Sequence, residues 1–92
     1  MPVTVRIPTP LRAVAKGNAD VQAKGDTIED VIADLERQFP GLRERLVDDA
    51  GELRRFINIY VNQEDVRFLD NKATKLKDGD EVAIVPAIAG GC

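Results

Sequence analysis

The residues of this chain best suited to chemistry are the last three of the printed sequence, Gly90-Gly91-Cys92. Two adjacent glycines remove every side chain from that stretch, so the backbone could enter a narrow channel in another protein. A carboxylate is a poor electrophile, and it must be activated, for example as an acyl-adenylate, in a site that excludes water. Glycine has no Cβ to clash where the backbone passes closest to the nucleotide. The pair therefore indicates a carbonyl group on which other enzymes act.

A glycine pair at a chain end is weak evidence by itself, because chain ends are usually frayed. It becomes specific only beside a compact body that ends just before it. The turn signal at residues 77–80 is followed by an apolar strand over 81–86, which Pro86 should end because proline cannot donate a ladder hydrogen bond. We therefore predict one domain with a body over residues 1–86 and a flexible tail over 87–92 (the predicted tail). Fully extended, this tail would reach about 20 Å.

Hydrophobic periodicity predicts the elements of the first half. Residues 3–7 alternate between apolar and polar types, which predicts a strand, and residues 19–24 predict a second strand that completes a hairpin. Residues 28–39 predict the main helix, with Thr27 as its N-cap and Pro40-Gly41 as its stop. Its apolar face consists of Ile28, Val31, Ile32, Leu35 and Phe39.

The second half predicts a short helical piece over 42–47, a loop over 48–52 and a strand over 56–61. A turn at 62–65, a return strand over 66–68 and a last strand over 81–86 follow. The order ββαβ(β)β, with right-handed crossovers, places the helix across one face of a mixed sheet whose first and last strands are central neighbours. The predicted class is therefore α+β, and the fold is a β-grasp.

Composition excludes several classes of function. The formal net charge of -3 argues against nucleic acid as a partner. The absence of histidine removes imidazole catalysis and most zinc sites, and a single cysteine cannot form an internal disulfide. No apolar run is long enough for a bilayer and no leader pattern is present, so we expect a cytoplasmic protein without a membrane role. We expect neither an independent enzyme nor a metal site nor a bound cofactor.

Phe56, Tyr60 and Val85 fall out of phase with the predicted core residues of their strands. They would form an apolar patch on the open face of the sheet, next to Ile88 at the root of the predicted tail. Exposed aromatic residues beside a functional segment indicate a docking surface for a partner. The alternative is a register shifted by one residue, which would place Phe56 and Tyr60 in the core.

The whole chain resembles the ubiquitin-like sulfur carriers of the ThiS and MoaD type. The resemblance is strongest to the carriers of cysteine biosynthesis, through the central segments 56–62 and 64–68. The other segments that carry it are residues 25–28, 77–82 and 86–91, which read Gly-Asp-Thr-Ile, Lys-Asp-Gly-Asp-Glu-Val and Pro-Ala-Ile-Ala-Gly-Gly.

This resemblance implies a complete reaction sequence. An E1-like enzyme would adenylate the carboxylate of Gly91, which would become a thiocarboxylate. A PLP-dependent cysteine synthase would bind the segment Ala89-Gly90-Gly91 and let the thiocarboxylate attack an enzyme-bound aminoacrylate. An S-to-N acyl shift would leave a cysteine joined to Gly91, and a JAMM-type zinc peptidase would release it.

Cys92 departs from the family pattern, because Gly91 in peptide linkage has no free carboxylate to adenylate. Cys92 could be an encoded cap that a peptidase removes, the carrier–cysteine adduct itself, a sulfur-bearing thiol, or a cloned residue. Two other functions also remain open: a ubiquitin-like modifier joined to lysines through Gly91, and a β-grasp binding module that needs no tail. The final sulfur acceptor, whether cysteine, the thiamin thiazole or molybdopterin, is likewise open, and only the resemblance favours cysteine.

Overall fold

The structure, a computed structural model, describes residues 2–86, so the predicted tail lies outside the described residues. Short 3-10 turns occur at Thr9–Leu11, Val66–Phe68 and Asn71–Ala73. The strands and helices are β1 (Pro2–Arg6), β2 (Asp20–Lys24), α1 (Ile28–Gln38), α2 (Leu42–Leu46), β3 (Ile57–Val61), β4 (Glu64–Asp65) and β5 (Glu81–Pro86).

The strands form one mixed sheet in the order β2-β1-β5-β3-β4. β1 and β5 are parallel, with Val5 opposite Val82, whereas the remaining neighbours are antiparallel. β5 therefore lies between two partners in the middle of the sheet. The predicted mixed sheet with its first and last strands adjacent is confirmed, and so is the β-grasp class.

One face of the sheet is buried and the other is open. In β3 and β5 the buried residues alternate with partly exposed ones, because successive side chains in a strand point to opposite faces. α1 contributes the opposite half of the core through an apolar stripe at helical spacing. The residues of the sheet that are buried in this core are Val3, Val5, Val21, Ala23, Ile57, Ile59, Val61, Val82 and Ile84.

Local contacts set the start of α1. The Thr27 hydroxyl accepts a hydrogen bond from the backbone N–H of Asp30 at 3.2 Å, as the predicted N-cap requires. A Cβ at Gly25 would lie 2.7 Å from the Asp30 Cβ and 2.8 Å from the Val31 nitrogen, so only glycine fits this approach. Position 25 therefore joins β2 to the helix without room for a side chain.

The predicted return strand over 66–68 is wrong. The strand that pairs with the outer edge of β3 is β4, and residues Val66–Phe68 form a 3-10 turn. Its start is capped because the Asp65 carboxylate accepts a hydrogen bond from the Arg67 N–H at 2.8 Å. Val66 is fully buried, and its burial turns the chain away from the sheet edge. The alternation of three residues cannot distinguish such a capped turn from a strand.

Asp80 joins the turn before β5 to the end of β3. Its carboxylate is buried and accepts hydrogen bonds from the Asn62 amide at 3.0 Å and the Lys77 N–H at 2.7 Å. The Asn62 side chain in turn accepts the N–H of Glu81 at 3.0 Å. The hydrogen bond from Asn62, followed by that from Lys77, holds the pKa of Asp80 below its ordinary value and outweighs the opposing effect of burial.

We predict that Asp80→Asn lowers the free energy of unfolding by about 1 to 2 kcal/mol at neutral pH, because charge-assisted hydrogen bonds to a carboxylate are lost. A depressed folded-state pKa stabilises the fold above the unfolded pKa, about 3.9, and this stabilisation disappears as the pH falls through the folded pKa. Urea denaturation should therefore show the gap between the two proteins narrowing on acidification.

The neighbouring exposed Asp78 provides the control for this experiment. Asp78→Asn should leave stability within about 0.5 kcal/mol of the parent protein. A stability gap for Asp80→Asn that stays constant down to strongly acidic pH would contradict the assignment.

Candidate functional site

The candidate site is the end of β5, where the described part of the chain ends. Pro86 is the last described residue, and it lies opposite Ile57 at the start of β3. The predicted residues Ile88, Ala89, Gly90, Gly91 and Cys92 lie outside the described residues, and their roles stay predictions. The structure thus shows where this segment starts.

Tyr60 and Val85 lie on the open face of the sheet, close to that point. Tyr60 is partly buried, whereas the Val85 side chain is 41% exposed. Both contribute to a shallow hollow, the open-face hollow, in which Arg6 forms an ion pair with Glu81 at 2.8 Å. The open-face hollow is lined by Arg6, Tyr60, Gln63, Glu81, Ala83 and Val85.

Phe56 is also outside the core, with half of its side chain exposed, but it lines a different surface. The alternative register, with Phe56 and Tyr60 in the core, is wrong, since Ile57 and Ile59 occupy the core instead. The structure therefore brings Tyr60 and Val85 together and separates Phe56 from them. The second surface, the Pro86 groove, is lined by Pro10, Leu11, Glu44, Arg45, Arg54, Phe56, Ile57 and Pro86.

Arg67 is a contributor to this region that the sequence did not reveal. Its guanidinium group donates hydrogen bonds to the carbonyl oxygens of Ile57 at 2.9 Å and Arg54 at 3.2 Å, and to the Asn58 side chain. These bonds tie the chain on both sides of Phe56 to the turn after β4. The acceptors are backbone carbonyls far along the chain, so no pattern in the sequence predicts them.

Two carboxylates on α1 have structural partners. Burial would raise the pKa of Asp34, but hydrogen bonds from the Lys24 N–H at 3.0 Å and from Arg37 and Gln38 outweigh it and lower that pKa. The backbone N–H groups of Arg43 and Gly41 lower the pKa of Glu36. Both groups therefore stay ionised and hold the helix to its surroundings, and they do not act as proton donors near neutral pH.

Within residues 2–86, no cluster of histidine, cysteine, aspartate or glutamate side chains has the geometry to hold a metal ion. None of the helices in that same range has the length and apolar character needed to cross a membrane.

Comparison with known proteins assigns the family. The model of the ThiS family matches residues 5–91. The chain belongs to the ThiS family. The match includes all of β5 and the glycine pair, and it ends one residue before Cys92.

Two actinobacterial proteins are similar over nearly their whole length. The sulfur carrier protein CysO of Mycobacterium tuberculosis is 55% identical to this chain, with 99% of this chain and 100% of that protein covered. The crystal structure of the BexX/CysO complex of Amycolatopsis orientalis contains a chain that superposes with a TM-score of 0.91 at 49% identity, covering 97% of this chain and 99% of that one. Such relatives are named carriers and not catalysts, in agreement with the expectation that this ThiS-family chain is not an enzyme.

An archaeal protein has the same fold at lower identity. The small archaeal modifier protein 1 of Methanosarcina acetivorans superposes with a TM-score of 0.85 at 31% identity, covering 98% of this chain and 96% of that one. The β-grasp body is thus shared by proteins named as carriers and proteins named as modifiers.

We predict that Arg67→Ala lowers the free energy of unfolding by about 1 kcal/mol and shifts the amide resonances of Phe56 and Ile57, since hydrogen bonds to two backbone carbonyls are lost. Urea denaturation and a nitrogen–proton correlation spectrum measure the two effects. Arg55→Ala, at an exposed position in the same loop, is the matched control. Equal effects of the two substitutions would show that Arg67 does not hold this loop.

Proposed function

We propose that this ThiS-family protein is a sulfur carrier whose Gly91 carboxylate is activated and converted to a thiocarboxylate, most directly for cysteine biosynthesis. The observation that carries the proposal is the full-length similarity to a protein named a sulfur carrier, together with a family match that stops at Gly91. Gly91 is then the residue that holds sulfur, and Ala89 and Gly90 lead it into partner enzymes.

The position of β5 supports this role. Hydrogen-bonded neighbours flank the strand on both sides, and Asp80 and Asn62 secure its start. Pro86 is therefore a fixed origin for the residues that follow it. Gly91 lies five residues beyond this origin, a span of at most about 17 Å. A partner enzyme would bind the folded body while the narrow glycine end enters its enclosed active site.

The proposed chemistry balances in two steps. The Gly91 carboxylate attacks the α-phosphorus of ATP, which gives the acyl-adenylate and releases pyrophosphate. A sulfide sulfur, supplied by a partner, then attacks the carbonyl carbon, AMP leaves with the electrons of the broken C–O bond, and loss of the sulfur-bound proton leaves the thiocarboxylate. The chain itself contributes the carboxylate, and an E1-like enzyme contributes the adenylation site.

Cys92 must be absent for the first step. While the peptide bond to Cys92 is intact, the Gly91 carbonyl is an amide, so a water molecule must first cleave that bond. A JAMM-type zinc peptidase would perform this hydrolysis whether Cys92 is an encoded cap or the product of a PLP-dependent cysteine synthase. Both origins of Cys92 thus require the same partner.

A second candidate function is that of a ubiquitin-like modifier joined to lysine side chains. The observation that favours it is the close superposition with the archaeal protein named a modifier. A modifier shares the adenylation step, but its activated carbonyl is attacked by an amine instead of sulfur. The two candidates therefore diverge only after activation.

We predict that the chain ending at Gly91, incubated with an E1-like partner from its host, ATP and a sulfide source, gains the mass difference between one sulfur and one oxygen atom. The reason is replacement of one carboxylate oxygen, and intact-mass spectrometry measures it. The same body ending at Ala89 and the unprocessed chain ending at Cys92 should gain nothing.

Two other results would contradict the sulfur-carrier proposal. High-mass conjugates in cells, without the sulfur-bearing species in the purified reaction, would support the modifier. A body without residues 90–92 that keeps full function in its host would support a plain binding module and refute both candidates.

We further propose that the open-face hollow binds the activating enzyme. Val85→Glu should reduce the kcat/KM of Gly91 adenylation at least tenfold, because burying an unpaired carboxylate in an apolar contact is costly, and pyrophosphate release measures this. Phe68→Glu, at a residue that is 84% exposed and does not line the open-face hollow, is the control and should leave the rate unchanged. Equal rates for both variants would remove Val85 from the docking surface.

A further inference from the structure

The Pro86 groove has an apolar floor and a volume of about 340 Å³. Leu11 and Ile57 are its buried lining residues, while Phe56, which is 50% exposed, lies at its wall. Covering apolar surface in a concavity removes it from water, and this lowers the free energy. An aliphatic side chain from a nearby segment would cover part of it.

The segment that starts at this groove belongs to the chain itself. Pro86 lines the groove and is also the last residue of β5, so residue 87 begins at the groove. Among residues 87–92 the one large aliphatic side chain is Ile88, between Ala87 and Ala89. Two residues of extended chain span at most about 7 Å, so the wall formed by Phe56 would be within reach of the Ile88 side chain.

The alternation of β5 indicates the direction of this side chain. Val82 and Ile84 face the core, and Val85 faces the open side. Because side chains alternate along a strand, Pro86 belongs to the core side, the side on which Ile57 lies at the base of the groove. An extended continuation of the strand would direct Ile88 to that same side. We propose that the Pro86 groove is the seat for Ile88 of this chain's own predicted tail.

The seat would be reversible. Burial of one aliphatic side chain favours it, while the ordering of two backbone residues opposes it, and these effects are of similar size. With Ile88 bound in the groove, the part of the predicted tail that can extend would begin at Ala89 and reach about 14 Å. The whole predicted tail, when Ile88 is released, would reach about 20 Å. The groove would thus set how far the glycine pair extends until a partner displaces Ile88.

The charged residues on the rim of the groove would also suit a different occupant, a segment of a partner protein. Arg45 and Arg54 lie on the rim, so an apolar segment with carboxylates from a partner protein could also fit. In that case Ile88 would be free in the isolated chain. The experiment is therefore performed on the full chain by itself.

The test uses NMR on the full chain with labelled isoleucine δ1 methyl groups, and Ile88→Val identifies the resonance of Ile88. We expect this methyl to lie upfield of its random-coil position, because it packs on the Phe56 ring, and to show NOEs to Phe56 and Leu11. Phe56→Ala should return it at least halfway to the random-coil position. The matched control is Phe68→Ala, which removes another exposed phenylalanine ring and should not move it.

Two results would overturn the proposal. One is a random-coil Ile88 methyl without long-range NOEs in the parent chain, which would leave the groove open for a partner segment. The other is a set of NOEs from Ile88 to Tyr60 and Val85, which would place the side chain on the open face instead. Since Phe56 is half exposed, its substitution should leave the fold intact, and the remaining isoleucine methyl resonances monitor this directly.

Discussion

The pairing of β5 on both sides is the constraint on which this structure depends. A strand in the middle of a sheet satisfies its backbone groups along both edges, and here one neighbour is parallel and the other antiparallel. β5 is also the strand from which the chain leaves the described body at Pro86. A strand held along both edges is thus directly joined to the segment proposed to react.

Side-chain contacts strengthen this arrangement at both ends of β3. Near the start of β5, the Asn62 side chain donates a hydrogen bond to Asp80 and accepts one from the N–H of Glu81, which joins the end of β3 to the start of β5. Near the end of β5, Arg67 holds the loop that carries Phe56, opposite Pro86. β5 is therefore held at its start and at Pro86. The surfaces between these two points can take part in recognition.

The buried and open faces of the sheet carry different kinds of residues. The core side is filled by aliphatic residues and by α1, whereas the open side carries the partly exposed residues Tyr60 and Val85 and the ion pair between Arg6 and Glu81. Exposed ion pairs contribute little to stability, so this face can exchange its contacts with solvent for contacts with a partner. The Pro86 groove adds a second apolar surface at the point of departure.

Elements that follow from local pattern were predictable from the sequence. The apolar stripe of α1 and its Thr27 cap were predicted correctly, because helix periodicity and capping depend on residues within a turn or two. The alternation of β3 and β5 likewise placed Phe56, Tyr60 and Val85 outside the core. The short segment 66–68 was predicted incorrectly, because its 3-10 turn results from the Asp65 cap and the burial of Val66.

By itself, the sequence determined the β-grasp class and the order of the elements, because short-range periodicity and turn chemistry are encoded in neighbouring residues. Only the tertiary structure decided that Phe56 lies apart from Tyr60 and Val85, that Arg67 holds its loop, and that Pro86 borders a groove. These features depend on which distant segments meet across the sheet. Each of these long-range contacts joins single residues that are far apart in the sequence, so it produces no periodic pattern from which it could be predicted.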